Sequence, residues 1–162
     1  ELLRRLLPGE LDIEAASPIA ADDIEILDYA DTQGMFARVK EAIRLCYSAG
    51  FRKHDVAIVS YHGREQSQLL TLDRLGQTSL RHFTGEYDLF GQPVYTPGDV
   101  LVESVYRFKG QAAPAVILTE IDFDVLDDKA ARKLFVGATR SAMKLVLILH
   151  QKSAARLLER LG

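Results

Sequence analysis

The chain has 162 residues, 48% of them apolar and 27% charged, enough to bury one sizeable core and too apolar for a disordered chain. No apolar run reaches the roughly 20 residues of a membrane-spanning helix, and no basic start with an apolar stretch marks a secretory signal. A single cysteine, Cys46, excludes an internal disulfide framework and a cysteine-paired zinc site. The net charge of −3 averages two opposed segments. Residues 1–31 hold nine acids and two arginines, and residues 129–162 hold eight basic residues and one acid. This excludes a histone-like coat, and reads either as two solvated faces of opposite sign or as a local site for a polyanion.

Residues 1–22, with Leu-Leu-Pro-Gly and Ala-Ala-Ser-Pro, read as an N-terminal arm or linker, and residues 23–162 as one domain. The chain opens on Glu1 rather than Met and is expected to be part of a longer protein. Ile24–Tyr29 reads as a strand. Thr32 is expected to cap a helix reaching about Ala49, with Met35, Phe36, Val39, Ile43 and Cys46 on one face and Gly50 as its stop. Val56–Tyr61 is a near-continuous apolar run, the mark of a strand buried on both faces. Arg64–Leu75 predicts a second helix ended by Gly76. Ser79–Phe83 predicts a short strand, and Thr84–Asp99, with three Gly and two Pro, a loop. Leu101–Val105, Ala115–Ile121 and Leu145–Leu149 predict strands. Asp127 or Asp128 is expected to cap a helix through Thr139, and Ser153–Leu161 closes the chain as a helix. Buried strands alternating with helices predict an α/β fold, a mainly parallel sheet with helices on both faces.

A sheet of this kind raises the question of a phosphate loop. Gly-x-x-x-x-Gly-Lys-[Ser/Thr] cradles phosphates with backbone amides and a lysine, and the chain contains no Gly-Lys. The domain alone is not expected to bind a nucleotide tightly. Val116–Asp122 looks like a Walker B strand; without a phosphate loop its acids read as an exposed strand end. A nuclease metal site from Glu120, Asp122 and Asp124 is the alternative. His54, His62, His82 and His150 show no metal-ligand spacing, so no metal site is expected. Ser60 with His62 is not read as a triad, and Cys46 on an apolar helix face reads as a core thiol.

Two segments carry more. Ser104-Val105-Tyr106-Arg107-Phe108-Lys109-Gly110-Gln111, between two buried strands, combines a hydroxyl, an aromatic ring, two cations and a glycine, a set that suits phosphate and base contact. Leu134-Phe135-Val136-Gly137-Ala138-Thr139-Arg140-Ser141 ends an apolar helix in Thr-Arg at a sheet edge. Arg140 there reads either as a cap on helix carbonyls or as a cation aimed at a neighbouring site.

In order and spacing the two segments resemble motifs V and VI of the second RecA-like motor domain of superfamily one helicases of the UvrD/Rep/PcrA group. The resemblance spans about Ile24 to His150. It implies a RecA-like P-loop NTPase fold without a P-loop, lacking the accessory domain that larger relatives insert between motifs IV and V, since only Leu75–Leu101 is available there. It implies that Arg140 is the arginine finger, reaching the γ-phosphate of ATP held by an N-terminal RecA-like domain of the same chain. ATP and Mg²⁺ would be held mainly by that missing domain. Lys109 and Gly110 match the turn coupling the nucleotide cleft to the DNA groove, and Ser104 and Tyr106 match positions contacting single-stranded DNA. Arg107 of the same loop, and Tyr61 and His62 at a neighbouring strand end, are candidate nucleic-acid contacts. Three departures accompany the match. Tyr106 replaces the motif V histidine. Ala112 replaces the glutamate that contacts the ATP ribose. Gln68 falls where the motif IV arginine belongs, with Arg64 as its substitute.

The expectation is therefore the C-terminal motor domain of a cytoplasmic, ATP-dependent DNA helicase or translocase, inactive as an isolated fragment and with no membrane partner. A degenerate RecA-like module that binds nucleic acid or protein without hydrolysis is the alternative, and a small-ligand flavodoxin-like domain accounts for the sheet but not for both motifs.

Overall fold

A computed structural model describes residues 23–161, so the expected arm at 1–22 lies outside the described residues. The strands are β1 (Ile24–Tyr29), β2 (Val56–Ser60), β3 (Arg74–Leu75), β4 (Thr78–Tyr87), β5 (Pro93–Tyr95), β6 (Val100–Ser104), β7 (Ala113–Ile121) and β8 (Ser141–His150). The helices are α1 (Thr32–Ser48), α2 (Asp128–Ala138) and α3 (Gln151–Leu161). The sheet order is β1-β8-β7-β2-β6-β4-β3, with β5 beside β4. Strands β1, β8, β7, β2, β6 and β4 run parallel, and β3 and β5 pair antiparallel with β4. The mostly parallel α/β architecture expected from the sequence is the one observed.

The two-residue period of the strands sorts the core into two layers. Val56, Ile58, Ile117, Val146 and Ile148 pack against Met35, Val39, Ile43 and Cys46 of α1. Ala57, Val59, Leu118, Leu145 and Leu147 face Leu134 and Ala138 of α2 and Leu157 of α3. Each buried Leu, Ile or Val contributes about 1.5–3 kcal/mol, so central strands covered on both faces anchor the domain. Burial pushes the Cys46 thiol up to about 11, in keeping with an inert core residue. No helix among the described residues is long and apolar enough to cross a membrane.

The helix ends follow local chemistry, with one correction. Asp31, not Thr32, caps α1, its carboxylate accepting from the Gly34 amide at 2.7 Å. Gly50 terminates that helix at φ +97°, where a side chain would be strained. Asp127 caps α2, accepting from the Ala130 amide at 2.8 Å.

The expected helix at Arg64–Leu75 is absent. The segment forms successive turns and then enters β3. Its polar groups find better partners than a helical ladder. Ser67 and the Gln68 amide donate to the Glu120 carboxylate, and the Ser67 hydroxyl accepts from the amides of Leu69 and Leu70. Leu69, Leu70 and Leu75 are thereby buried on the α1 side of the sheet. The expected loop at Thr84–Asp99 is largely a hairpin. Strand β4 continues to Tyr87, and β5 returns along it. Gly98 lets the chain press against β4, since a Cβ there would lie 2.3 Å from the Leu80 carbonyl carbon.

Candidate functional site

Because six strands run parallel, their carboxyl ends share one edge. Tyr29, Ser60–His62, Ser104–Tyr106, Glu120–Asp122 and His150 all lie there. The segments after β1 and β2 join the α1 layer, while those after β7 and β8 join the α2 and α3 layer. A crevice of about 490 Å³ opens between the two sets, lined among others by Asp31, Thr32, His62, Gln68, Glu120, Asp122 and Lys152.

The acids of this edge are committed to internal partners. Glu120 is 5% exposed and has φ +60°, a left-handed conformation rare for a residue with a side chain. Its carboxylate accepts from Ser60 Oγ at 2.9 Å, Ser67 Oγ at 2.5 Å and the Gln68 amide at 2.8 Å. These charge-assisted bonds offset the roughly 1–3 kcal/mol that such backbone strain costs. His62 Nε2 lies 2.5 Å from Asp122 Oδ1. Burial pushes the Asp122 carboxyl up, but the His62 hydrogen bond and charge, with Lys152 beyond, outweigh it and leave the group below its ordinary range. Asp124 pairs with Lys152 at 3.0 Å. Among the described residues, no group of three or more His, Cys, Asp or Glu side chains could hold a metal ion.

Several sequence-selected residues also turn inward. Ser104 is 3% exposed, and its hydroxyl accepts from the Arg107 amide at 3.1 Å, capping the turn that follows β6. The Arg107 guanidinium lies 3.8 Å from the Phe83 ring centre and donates to Tyr87 at 3.4 Å. Its Nε is buried without a hydrogen bond and stands 3.6 Å from the buried Glu103 carboxylate, which accepts from Tyr95 at 2.6 Å. Arg64 donates to the Thr84 carbonyl at 3.0 Å and packs where a Cβ on Gly85 would lie 2.2 Å away. Gln68 binds Glu120 through its backbone and leaves its side chain at the crevice. Tyr61 is 5% exposed, burial lifting its phenol to about 12, and its ring packs on His62 and Phe123.

Tyr106 differs from these, with more than half of its surface in solvent. The segment after it carries the chain from the carboxyl end of β6 to the amino end of β7, across β2 on the α2 side, with Phe108 buried beneath. Lys109, Gly110 (φ +84°), Gln111 and Ala112 are exposed along this crossing. At its end the Ala113 amide donates to the Arg140 carbonyl at 3.0 Å. Arg140 therefore sits at the opposite, amino edge of the sheet, joined to the carboxyl edge by the Ser104–Ala112 segment.

The helix end before Arg140 is capped by other residues. Thr139 Oγ1 donates to the Phe135 carbonyl at 2.9 Å and Ser141 Oγ to the Ala138 carbonyl at 3.0 Å. The Arg140 side chain forms no ion pair among the described residues, and its Nε is buried without a partner. The capping alternative thus falls to Thr139 and Ser141, and the guanidinium keeps an unmet donor.

Lys129, Arg132 and Lys133 were not singled out by motif. They share one outward face of α2 at i, i+3, i+4 spacing, and the Lys133 ammonium lies 4.0 Å from the Tyr61 ring centre and 4.9 Å from that of Tyr106. The sequence signal was the basic excess after residue 129 combined with helical period.

Residues 99–148 match the model of the UvrD-like helicase C-terminal domain. That stretch covers about a third of the chain and contains both the Ser104–Ala112 segment and Arg140. No curated protein sequence matches the chain significantly. Among solved structures, the chain is similar to the C-terminal domain of a possible DNA helicase from Lactobacillus plantarum WCFS1. The TM-score is 0.64 at 15% identity, covering 99% of this chain and 88% of that one. The chain therefore shares the fold of that domain, and its residues 99–148 carry the sequence pattern of the UvrD-like helicase C-terminal domain.

Proposed function

We propose that the chain is the C-terminal RecA-like motor domain of an ATP-dependent superfamily one DNA helicase or translocase of the cytoplasm. The observation carrying this reading is Arg140, inside the family-matched stretch, its backbone bonded to the end of the Ser104–Ala112 segment and its guanidinium without an ion pair among the described residues. A guanidinium in that condition fits a phosphate oxygen brought by a second domain. ATP would be held by the phosphate loop of an N-terminal RecA-like domain, whose Mg²⁺ neutralises phosphate charge. Arg140 of this chain enters the cleft and stabilises charge on the transferred group. Lys109 and Gly110 stand between Arg140 and the strand-facing Tyr106, so closure of the cleft is transmitted along one short segment. Tyr106 is placed to meet single-stranded DNA directly. Ser104, Arg107, Tyr61 and His62 act behind it by holding the turn and strand end, and Arg64 and Gln68 support the crevice rather than reaching a phosphate. Without the partner's phosphate loop, the fragment alone is inactive.

Single-turnover ATP hydrolysis by the full-length protein tests this. Arg140→Ala is expected to lower the rate by about 10³-fold or more, and near wild-type turnover removes the reading. Ala112, exposed and without a carboxylate, favours a second reading, a module that binds nucleic acid without hydrolysis. A Gly-Lys-[Ser/Thr] loop upstream in the parent protein decides for the motor, and its lack for the module.

A further inference from the structure

Strand β4 pairs with β6 as far as His82 opposite Val102. Beyond that point, no backbone hydrogen bond among the described residues joins residues 83–95 of the β4–β5 hairpin to residues 103–112. Side chains make the connection instead. Tyr95 of β5 donates to Glu103 Oε2 at 2.6 Å, and Glu103 Oε1 accepts from the Ser104 amide at 3.0 Å. Burial and then the Glu103 hydrogen bond push the Tyr95 phenol up, which keeps it a donor. The Arg107 guanidinium lies 3.8 Å from the Phe83 ring centre and donates to Tyr87 at 3.4 Å. Phe83 is the cross-strand partner of Tyr95, their ring centres 6.0 Å apart. Arg64, from the segment after β2, approaches the same ring at 5.9 Å. A void of only about 30 Å³ remains among Arg64, Phe83, Glu103 and Arg107.

We propose that the β4–β5 hairpin is a brace for the Ser104–Ala112 segment, with Phe83 and Tyr95 as positioning residues that fix the Tyr106 ring through Arg107 and Glu103. Arg107 follows Tyr106 directly in the chain, and its amide donates to Ser104 Oγ within the same turn. Holding the guanidinium against Phe83 and Glu103 therefore holds both ends of the turn that carries Tyr106. The Tyr106 ring is largely in solvent, so the backbone beneath it sets its direction. A ring ordered in advance does not lose that freedom on meeting a ligand. Because the brace consists of side chains, loosening it leaves the sheet ladder intact. Phe83 and Tyr95 lie outside the family-matched residues 99–148. The proposal rests on the strand contact assigned to Tyr106 and adds to it a part of the chain that touches neither strand nor nucleotide.

Two measurements test it. The first is amide hydrogen exchange of the 162-residue chain. Tyr95→Phe, which removes one hydroxyl, and Phe83→Leu should each speed exchange within residues 104–112 about fivefold, with β7 and β8 unchanged. The second is ATP hydrolysis by the full-length protein against oligo-dT concentration. Both variants should raise the half-stimulating concentration about fivefold and keep the saturated rate within about twofold. Phe90→Ser, at the exposed tip of the same hairpin, is the control and should match wild type in both measurements. Should Phe83→Leu fail to fold by circular dichroism, Tyr95→Phe alone decides. The brace is overturned by unchanged exchange at 104–112 in Tyr95→Phe, by an equal rise across β7 and β8, by a lower saturated rate at an unchanged half-stimulating concentration, or by an equal effect of Phe90→Ser. If exchange behaves as expected and oligo-dT does not stimulate the wild type, the brace stands and the motor reading falls. If oligo-dT stimulates the wild type and both variants follow it, the brace falls and the motor reading stands.

Discussion

The carboxyl edge of the sheet and the outer face of α2 are both rich in charge, yet they use it in opposite ways. At the edge, Glu120 takes three hydrogen bonds, Asp122 pairs with His62, and Arg107 is locked between Phe83 and Glu103. On α2, Lys129 and Arg132 project from one helix face, and Arg140 follows the helix end without an ion pair among the described residues. A charge already satisfied inside the fold holds structure together and gains little from a ligand. A charge without an internal partner costs the fold little to lose and has everything to gain from a phosphate. Composition and motif matching treat the two kinds alike.

Substitutions can break or sharpen this contrast, and the largest effect belongs to Arg140. Arg140→Ala should cut single-turnover hydrolysis by the full-length protein about 10³-fold or more while leaving the melting temperature nearly unchanged. Next is Glu120→Ala, which strands the Ser60 and Ser67 hydroxyls and the Gln68 amide. It should destabilise the domain by about 3 kcal/mol in urea unfolding. Glu120→Gly should recover about 1 kcal/mol of that loss, because glycine accepts φ +60° without strain. Arg107→Ala should cost about 2 kcal/mol, since it removes the Phe83 contact and leaves the buried Glu103 without its cation. Arg132→Ala, in contrast, should fall within about 0.5 kcal/mol of wild type. If the two arginines cost the same, the division into internal and available charge is wrong.

The smallest effect concerns pH. The folded Asp122 carboxyl lies below its ordinary value, so the folded chain takes up that proton less readily than the unfolded chain. Its contribution is complete above the unfolded value near about 4 and is lost as pH falls through the folded value. Asp122→Asn should therefore make stability less sensitive to acid below about pH 4, read as a shallower fall in melting temperature.

The buried strands β2, β7 and β8 and the helices α1 and α2 were legible in the sequence. Their signals are short-range: unbroken apolar runs, a 3.6-residue period, and a capping aspartate with its glycine stop. Where sequence reasoning failed, distant partners prevailed over local pattern. Arg64–Leu75 has a plausible helical period, but Ser67 and Gln68 are captured by Glu120 about fifty residues later in the chain. Thr84–Asp99 has the composition of a loop, but β4 and β5 satisfy each other's backbone groups across a hairpin.

The candidate site divides along the same line. The residue types and spacing of Ser104–Gln111 and Leu134–Ser141 were enough to mark both segments, because strand, turn and helix end follow from neighbours in sequence. Which of their cations remain available was a matter of tertiary contact. Both arginines bury an Nε without a hydrogen bond, but Arg107 meets the Phe83 ring and the Glu103 carboxylate, while Arg140 is tied to Ala113 through its backbone and its side chain forms no ion pair among the described residues. The sequence by itself determined an α/β domain with two chemically suggestive segments, since hydrophobic period and capping act over a few residues. Only the tertiary structure decided which charges are spent on the fold and which face outward, since desolvation and pairing depend on groups that the chain brings together from far apart.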